Sequence, residues 1–277
     1  MKLKSKFAKI VIYGICALVA FASLFPIYYT FINSIRNVAS TPAILLPKDF
    51  EWANFKLAVT MVPFLKYLGN SLIILGISVV LGSVFCFLYG YALAKLQAPG
   101  SNLLFFLVLT VMMIPTFATQ IPQYIMFTKI GIDDTFWIWV FEAIAGNAYN
   151  IFLCRQFLMS LPNSLLEAAT IDGCSQTKLI THIAFPLSKP LWAIVAFNLF
   201  NLNWGDFMTP YMYLSKDKFP LIMPLFSSFE YLIPGTSIRM TPVVNAATLL
   251  VMIPVFVVFF LCQKQLVEGI TFSGIKG

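Results

Sequence analysis

Six long apolar stretches constrain this chain more than any other feature of its sequence. A helix needs about 20 apolar residues to cross the hydrocarbon core of a bilayer, and long runs without alternation are typical of membrane helices, not of membrane β-strands. The predicted spans are residues 10–32, 71–94, 103–125, 136–154, 191–212 and 241–263. The sequence therefore predicts an all-α, polytopic membrane protein with one transmembrane domain over residues 1–277.

The composition excludes an ordinary water-soluble protein. Hydrophobic residues make up 60% of the chain and charged residues 10%, whereas soluble domains carry about 25% charged residues. A net charge of +7 could suggest nucleic acid in a soluble protein, but here the basic residues cluster at the ends of apolar runs, as in membrane proteins. We therefore expect contact with membrane lipid and no nucleic-acid partner.

The cysteine and histidine content argues against a disulfide framework, a metal site or an enzyme. The five cysteines are scattered and form no C-x-x-C sequence, so they are expected to pack as small apolar residues. His182 is the single histidine, which leaves no histidine-based metal cluster. No Ser/His/Asp set is indicated either, and we expect a non-catalytic protein.

Basic residues before the first span predict its orientation. Cytoplasmic flanks of membrane helices are rich in lysine and arginine, and the N-terminal cluster consists of Lys2, Lys4, Lys6 and Lys9. With six spans, both termini and the loop at residues 161–190 are expected in the cytoplasm. Ala20-Phe21-Ala22 could form a signal-peptidase site, but the apolar run continues to Ile32, which favours an uncleaved first helix.

Residues 161–190 form the longest polar-rich interruption in the second half of the chain. Ser164 followed by Glu167 has the S-x-x-E spacing of a capping box, which predicts a helix from Leu165. Gly173 is suited to the left-handed residue that ends such a helix. The loop is therefore expected to carry a short helix that ends at Gly173.

A second helix is predicted in the same loop. It is expected to begin near Ser175 and to end before Pro186, because the residue before a proline is disfavoured in helix. Small Ala168 and Ala169 allow close approach of a partner, and Glu167 offers it one charge. In the alternative interpretation, Glu167 only caps its helix and the alanines pack on the transmembrane bundle.

Polar residues within the predicted spans are candidates for a solute path, because intramembrane charges are costly. Glu142 shares a helical face with Trp139, Gly146, Tyr149 and Asn150. A second polar face in the fifth predicted span consists of Asn198, Asn201, Asn203 and Asp206. These residues could instead hold membrane helices together, or pair with another subunit.

The loop also carries a recognisable spacing, EAA-x3-G-x9-I-x-x-P, from Glu167 to Pro186. With this loop, the chain resembles the permease subunits of bacterial ABC importers. Further similarity points to the second permease of maltose-type carbohydrate importers; it lies at residues 64–72, 89–95, 121–122, 204–207, 263–269 and 274–277. Three residues depart from the family pattern: Phe185 replaces leucine, Cys174 replaces alanine or serine, and Gly205 replaces asparagine.

The resemblance implies a type I ABC importer permease fold in a bacterial or archaeal cytoplasmic membrane. It implies a second permease subunit (a heterodimer), two ATPase subunits, an extracytoplasmic solute-binding protein and a carbohydrate substrate, with an oligosaccharide favoured. It assigns ATPase docking to Glu167, Ala168, Ala169, Asp172, Gly173, Ile183 and Pro186. The chain has no G-x-x-x-x-G-K-[ST] sequence, so ATP and magnesium are expected on the partner subunits and no cofactor on this chain.

Two other transport functions stay open at this point. An ABC importer of glycerol phosphate or a polyol would share the loop, although a phosphate ligand would favour basic groups in the path and the spans contain almost none. An ion-coupled secondary transporter could use Glu142 and Asp206 as proton or sodium sites. The loop spacing argues against this last interpretation.

Overall fold

The chain is mostly helical in the part that the structure describes. The computed structural model describes residues 6–38, 45–46, 50–96, 98–227 and 230–274. Among these residues, the β pairing consists of one isolated antiparallel bridge between Leu232 and Arg239. The chain groups into two compact units, which are Met1–Leu65 with Pro224–Ile253, and Lys66–Met223 with Pro254–Gly277.

Among the described residues, the first unit contains two complete helices and parts of three others. Helix α1 covers Lys6–Ser34, α2 covers Ala53–Thr60, and α15 covers Thr241–Gly274 and continues into the second unit. The buried amide of Asn54 donates to the carbonyls of Ser34 and Arg36, each at 2.8 Å. These bonds fix α2 at the end of α1 and satisfy backbone groups that follow the first span.

The remaining helices lie mainly in the second unit, although the helix Phe64–Leu75 begins in the first unit and the helix Met223–Phe226 ends there. They are α3 (Phe64–Leu75), α4 (Gly82–Lys95), α5 (Ser101–Met113), α6 (Thr116–Ile130), α7 (Trp137–Ala145), α8 (Ala148–Ser160), α9 (Asn163–Ile171), α10 (Gln176–Lys178), α11 (Phe185–Leu187), α12 (Lys189–Trp204), α13 (Met208–Tyr213) and α14 (Met223–Phe226). Two π-helical segments, Gly76–Leu81 and Leu179–Ala184, join α3 to α4 and α10 to α11.

Within the part of the chain that the structure describes, three continuous helices are long and apolar enough to cross a membrane. They are Ala8–Ser34, Phe64–Lys95 and Thr241–Leu266, and they correspond to the first, second and sixth predicted spans. Two further pairs of helices qualify if each bent pair counts as one span: α5 with α6, bent by 101°, and the helices of Gln176–Leu187 with α12, bent by 80°. The α5–α6 bend lies at Ile114 and Pro115, where proline pushes the preceding residue out of helix.

The structure corrects the fourth predicted span. Residues 136–154 are not one helix, because the chain breaks at Gly146, which has a φ of +79°. Helix α7 ends before Gly146, and α8 begins after Asn147, whose side-chain oxygen accepts a hydrogen bond from the Asn150 N–H at 3.0 Å. A left-handed glycine followed by an asparagine N-cap outweighs the apolar continuity of the sequence here.

The closest helix packing in the second unit lies between α4 and α8. Cys86 and Gly90 are small residues four positions apart on α4, and small residues allow helix backbones to approach. A Cβ added at Gly90 would lie 2.4 Å from the Cys154 Cβ and 2.9 Å from the Arg155 backbone nitrogen. The two helices are therefore held at a separation that only glycine permits at this position.

We expect Gly90→Ala to destabilise the protein, because the new methyl group would overlap backbone atoms of α8. Overpacking of this kind costs about 1–3 kcal/mol, so the melting temperature of the purified protein in detergent should fall by about 3–10 °C. Gly69→Ala is the matched control, since Gly69 lies in α3 with nothing within 4 Å of an added Cβ. Equal melting temperatures for both variants would contradict this account of the α4–α8 contact.

Candidate functional site

The loop at residues 161–190 begins differently from the prediction. Helix α9 starts at Asn163, with Pro162 in the N-cap position and no side-chain hydrogen bond to its first turn. The predicted capping box of Ser164 and Glu167 is therefore wrong, and so is the predicted start at Leu165. Proline is already restricted to a helix-compatible φ, so the helix can begin earlier without a side-chain cap.

The end of α9 confirms the prediction for Gly173. Gly173 has a φ of +81°. Its N–H donates to the Thr170 carbonyl, and the Cys174 N–H donates to the Ala169 carbonyl, both at 3.0 Å. This pair of bonds is the Schellman arrangement, which favours glycine at the left-handed position. The chain therefore turns sharply between α9 and the next helix.

The second helical part of the loop starts where predicted but ends later. The Ser175 hydroxyl accepts a hydrogen bond from the Lys178 N–H at 3.4 Å, so the predicted start is confirmed. The predicted stop before Pro186 is wrong, since the helical path continues to Leu187 and bends at Ser188. A π-helical segment ends at Ala184, and Pro186 lies in the first turn of a new helix, where its missing N–H is tolerated.

Most of the residues assigned to docking lie at the surface of this unit. Among the assigned residues, Glu167, Ala168, Asp172, Gly173 and Pro186 are exposed, while Ala169 and Ile183 are half-buried. Ile171, at the end of α9, is 86% exposed. A helix that presents a carboxylate, an apolar side chain and a small residue together is suited to contact with another protein.

A cleft of about 470 Å³ lies behind this helix. Its lining includes Tyr91 and Lys95 of α4, Glu167 and Ile171 of α9, and Leu179. The Lys95 ammonium donates to the Leu161 carbonyl at 2.8 Å and to the Asn163 side-chain oxygen at 2.7 Å. Sequence reasoning assigned no role to Lys95, although a basic residue directly after a charge-free span was an available signal.

Three aromatic rings hold the end of the loop against the transmembrane helices. The Phe185 ring lies 4.4 Å from the Trp192 ring and 5.9 Å from the Phe87 ring, between ring centroids. The Trp192 indole N–H also donates to the Phe185 carbonyl at 3.3 Å. Phe185, which departs from the family pattern, thus packs on α4 and α12 with an area that leucine would not cover.

The two polar faces predicted within the membrane meet in the structure. The Asn198 side-chain amide of α12 donates to the Asn150 side-chain oxygen of α8 at 3.2 Å. Helices α8 and α12 therefore bring together side chains that are 48 positions apart in the chain.

The residues of the two polar faces differ in how deeply they are buried. Trp139 is 2% exposed and Asn150 is fully buried, so both contact neighbouring helices of this chain. Tyr149 and Asn201 are exposed, while Glu142, Asn198 and Asp206 are half-buried. The Asp206 carboxylate accepts from the Met208 and Thr209 N–H groups at 3.0 and 3.1 Å and so caps α13. Within the described residues, no cluster of three or more acidic, cysteine or histidine side chains could hold a metal ion.

An ion-pair network that sequence reasoning missed lies at the other end of this unit. The Asp134 carboxylate accepts from the Lys218 ammonium and from the Ser215 N–H, each at 2.8 Å. The Lys218 bond first, and the Ser215 bond second, lower the pKa of Asp134 to about 2. The network joins two loops 84 residues apart, and no local sequence pattern indicates such a pair.

We expect the contribution of Asp134 to depend on pH. Because its pKa is lower in the folded state than the usual value near 3.9, the stabilisation is complete above pH ~4 and is lost as the pH falls towards 2. Asp134→Asn should lower the melting temperature by about 1–3 °C at pH 7, since partly exposed ion pairs contribute little. The difference from the unchanged protein should shrink below pH 4; a constant difference across pH would contradict the assignment.

Comparison with known proteins finds sequence similarity over most of the chain. Residues 85–271 match the family described as binding-protein-dependent transport system inner membrane component. The chain is 28% identical to the melibiose/raffinose/stachyose import permease protein MelC of Bacillus subtilis, over 95% of both chains. It is 30% identical to the arabinooligosaccharides transport system permease protein AraQ of Halalkalibacterium halodurans, over 94% of both chains.

A solved structure has the same fold. It is a chain of a bacterial ABC transporter involved in the import of the acidic polysaccharide alginate. The TM-score is 0.81 at 24% identity, and the match covers 95% of this chain and 98% of the other. The type I importer permease fold and the polytopic all-α architecture predicted from the sequence are thereby confirmed.

Proposed function

The chain belongs to the family of binding-protein-dependent transport system inner membrane components, and we propose that it is a permease subunit of an ATP-driven importer for a carbohydrate, favouring an oligosaccharide. The observation that carries the proposal is the full-length similarity to permeases named for melibiose, raffinose and stachyose and for arabinooligosaccharides. The chain serves as a single transmembrane domain in a bacterial or archaeal cytoplasmic membrane, with both termini in the cytoplasm.

The proposed complex contains a second permease subunit, two ATPase subunits and an extracytoplasmic solute-binding protein. ATP and magnesium bind to the ATPase subunits, and this chain takes part as a non-catalytic subunit without a cofactor. ATP binding closes the ATPase pair, and the transmembrane helices then move from inward-facing to outward-facing as the binding protein releases the solute. The chain and the second permease each form half of the path.

Helix α9 is the proposed coupling helix. The exposed carboxylate of Glu167 and the neighbouring Asp172 suit a basic group of an ATPase, and small Ala168 and Ala169 allow its backbone to come close. The turn at Gly173 and the residues Ile183 and Pro186 complete the docking surface. Rigid anchoring by Phe185 and Lys95 supports this role, because a coupling element has to transmit force without bending.

The first test of this proposal is charge reversal at the docking surface. We expect Glu167→Arg to reduce oligosaccharide-stimulated ATP hydrolysis by the reconstituted complex at least tenfold, because like charges would face the ATPase. Raffinose, an arabinooligosaccharide and maltotriose serve as probes, and hydrolysis and uptake into liposomes are measured together. Asp133→Arg is the matched control, since Asp133 is exposed in the loop between α6 and α7.

Two results would contradict the proposal. One is unchanged ATPase co-purification and stimulated hydrolysis in the Glu167→Arg complex. The other is uptake by this chain alone, driven by an ion gradient without an ATPase, which would favour a secondary transporter. The Asp133→Arg chain should insert and retain its ATPase normally.

The proposed solute path follows the joined polar faces of α7, α8 and α12. Glu142, Tyr149, Asn198, Asn201 and Asp206 are exposed or half-buried residues and are proposed to meet the hydroxyl groups of the solute. Buried Trp139 and Asn150 also belong to the proposed path, where they set the position of that face. Neither face contains a lysine or arginine, which suits an uncharged sugar better than a phosphate ester.

We expect Glu142→Gln to weaken uptake of the stimulating oligosaccharide by up to about tenfold, because the amide replaces an acceptor oxygen and a hydrogen bond contributes about 0.5–1.5 kcal/mol. Docking of the ATPase and basal hydrolysis should persist, since α9 is untouched. Leu202→Ala is the matched control, because Leu202 is an exposed apolar residue on the helix that carries Asn201. Transport kinetics identical to those of the unchanged complex would remove Glu142 from the path.

A further inference from the structure

Lys95 occupies the junction between the second span and the proposed coupling helix. We infer that Lys95 is a positioning residue that links α9 mechanically to the helix Phe64–Lys95, so that movement of the docked ATPase passes directly into this span. The inference rests on the proposed function of α9 and adds to it the residue through which α9 acts. Lys95 touches neither nucleotide nor solute in this scheme.

Lys95 donates hydrogen bonds to the residues on either side of Pro162, which directly precedes α9. Its ammonium donates to the Leu161 carbonyl at 2.8 Å and to the Asn163 side-chain oxygen at 2.7 Å. Pro162 lies between these two acceptors and has no N–H of its own to donate. Since α9 has no side-chain cap, the lysine is the side chain that fixes where this helix begins.

Helix stability alone does not account for a lysine at this position. The N-terminus of a helix carries a partial positive charge, so an acidic or hydroxyl side chain is favoured there and a cation is not. A basic residue that merely ends a span extends its ammonium into water. Lys129 is a lysine of this ordinary kind. It is exposed in the last turn of α6, and no hydrogen bond from its side chain is found in the described part of the chain.

The helix that carries Lys95 is rigidly held at its cytoplasmic end. Gly90 packs against the backbone of α8, and Tyr91 is 2% exposed. The Arg155 guanidinium of α8 lies 3.8 Å from the centre of the Phe105 ring and donates to the Leu93 carbonyl at 3.4 Å. Lys95 therefore extends from the end of a helix that packing against α8 holds in place. A shift of α9 would strain the two hydrogen bonds that Lys95 donates to Leu161 and Asn163.

The same helix is tied to a loop at its other end. Lys66 pairs with Asp217 at 2.8 Å, the Asn70 amide donates to the Phe219 carbonyl at 3.0 Å, and the Leu221 N–H donates to the Ser71 hydroxyl at 2.8 Å. The helix Phe64–Lys95 has 32 residues, which corresponds to about 48 Å at 1.5 Å per residue. One continuous element thus connects α9 with the loop at residues 215–221.

The test uses the reconstituted complex with three variants of this chain. We expect Lys95→Met, which keeps the apolar stem but removes both hydrogen bonds, to lower oligosaccharide uptake per ATP hydrolysed about tenfold. Basal hydrolysis and ATPase co-purification should stay within about twofold of the unchanged complex. Lys95→Arg should restore coupling, because its guanidinium can still donate to both acceptors. Lys129→Met is the matched control and should behave as the unchanged complex.

A double-mutant cycle separates a specific link from general damage. Asn163→Leu removes one acceptor, and its effect on coupling should be mostly absent when Lys95→Met is already present. Amide hydrogen exchange in α9 should rise in Lys95→Met and return to normal in Lys95→Arg. Full coupling in Lys95→Met would overturn the inference. So would parallel loss of basal hydrolysis and coupling in both Lys95 variants, which would indicate a purely structural lysine.

Failure of this inference is distinguishable from failure of the proposed function. If Glu167→Arg abolishes ATPase docking while Lys95→Met remains fully coupled, α9 is the coupling helix and Lys95 is not its link. If Glu167→Arg leaves docking and stimulated hydrolysis intact, the proposed function of α9 fails, and the inference about Lys95 fails with it.

Discussion

The close approach of α4 to α8 at Gly90 is the contact on which the rest of the second unit depends. Because a Cβ at this position would lie 2.4 Å from that of Cys154, the two helices pack backbone against backbone. Helix α8 leads into α9, and α4 ends at Lys95, so this packing sets the base of the loop at residues 161–190. Without it, neither the cleft beside Glu167 nor the bonds of Lys95 would have a fixed geometry.

Close helix packing also determines which polar side chains of the spans are buried. Asn150 is fully buried and bonded to Asn198, so part of the polar face serves to hold α8 and α12 together. The exposed members of that face, among them Tyr149 and Asn201, remain accessible. A helix contact and the proposed solute path thus share one surface, since asparagine side chains commonly join membrane helices.

Local features of the sequence predicted local structure well. A glycine after a helical run gave the turn at Gly173, and a serine gave the start near Ser175, because both effects act through neighbouring backbone atoms. The capping box at Ser164 was wrong because Pro162 already fixes the chain direction there. The stop at Pro186 was wrong because a preceding π-helical segment shifts proline into a first turn.

The sequence by itself determined the membrane environment, the helical class and the spacing of the loop, since apolar length and residue order are properties of the chain alone. Tertiary structure decided which polar residues are buried and what Lys95 binds. Leu161 and Asn163 lie 66 and 68 residues from Lys95. Such pairs form only after helices have packed, and packing depends on which surfaces fit together and not on neighbours along the chain.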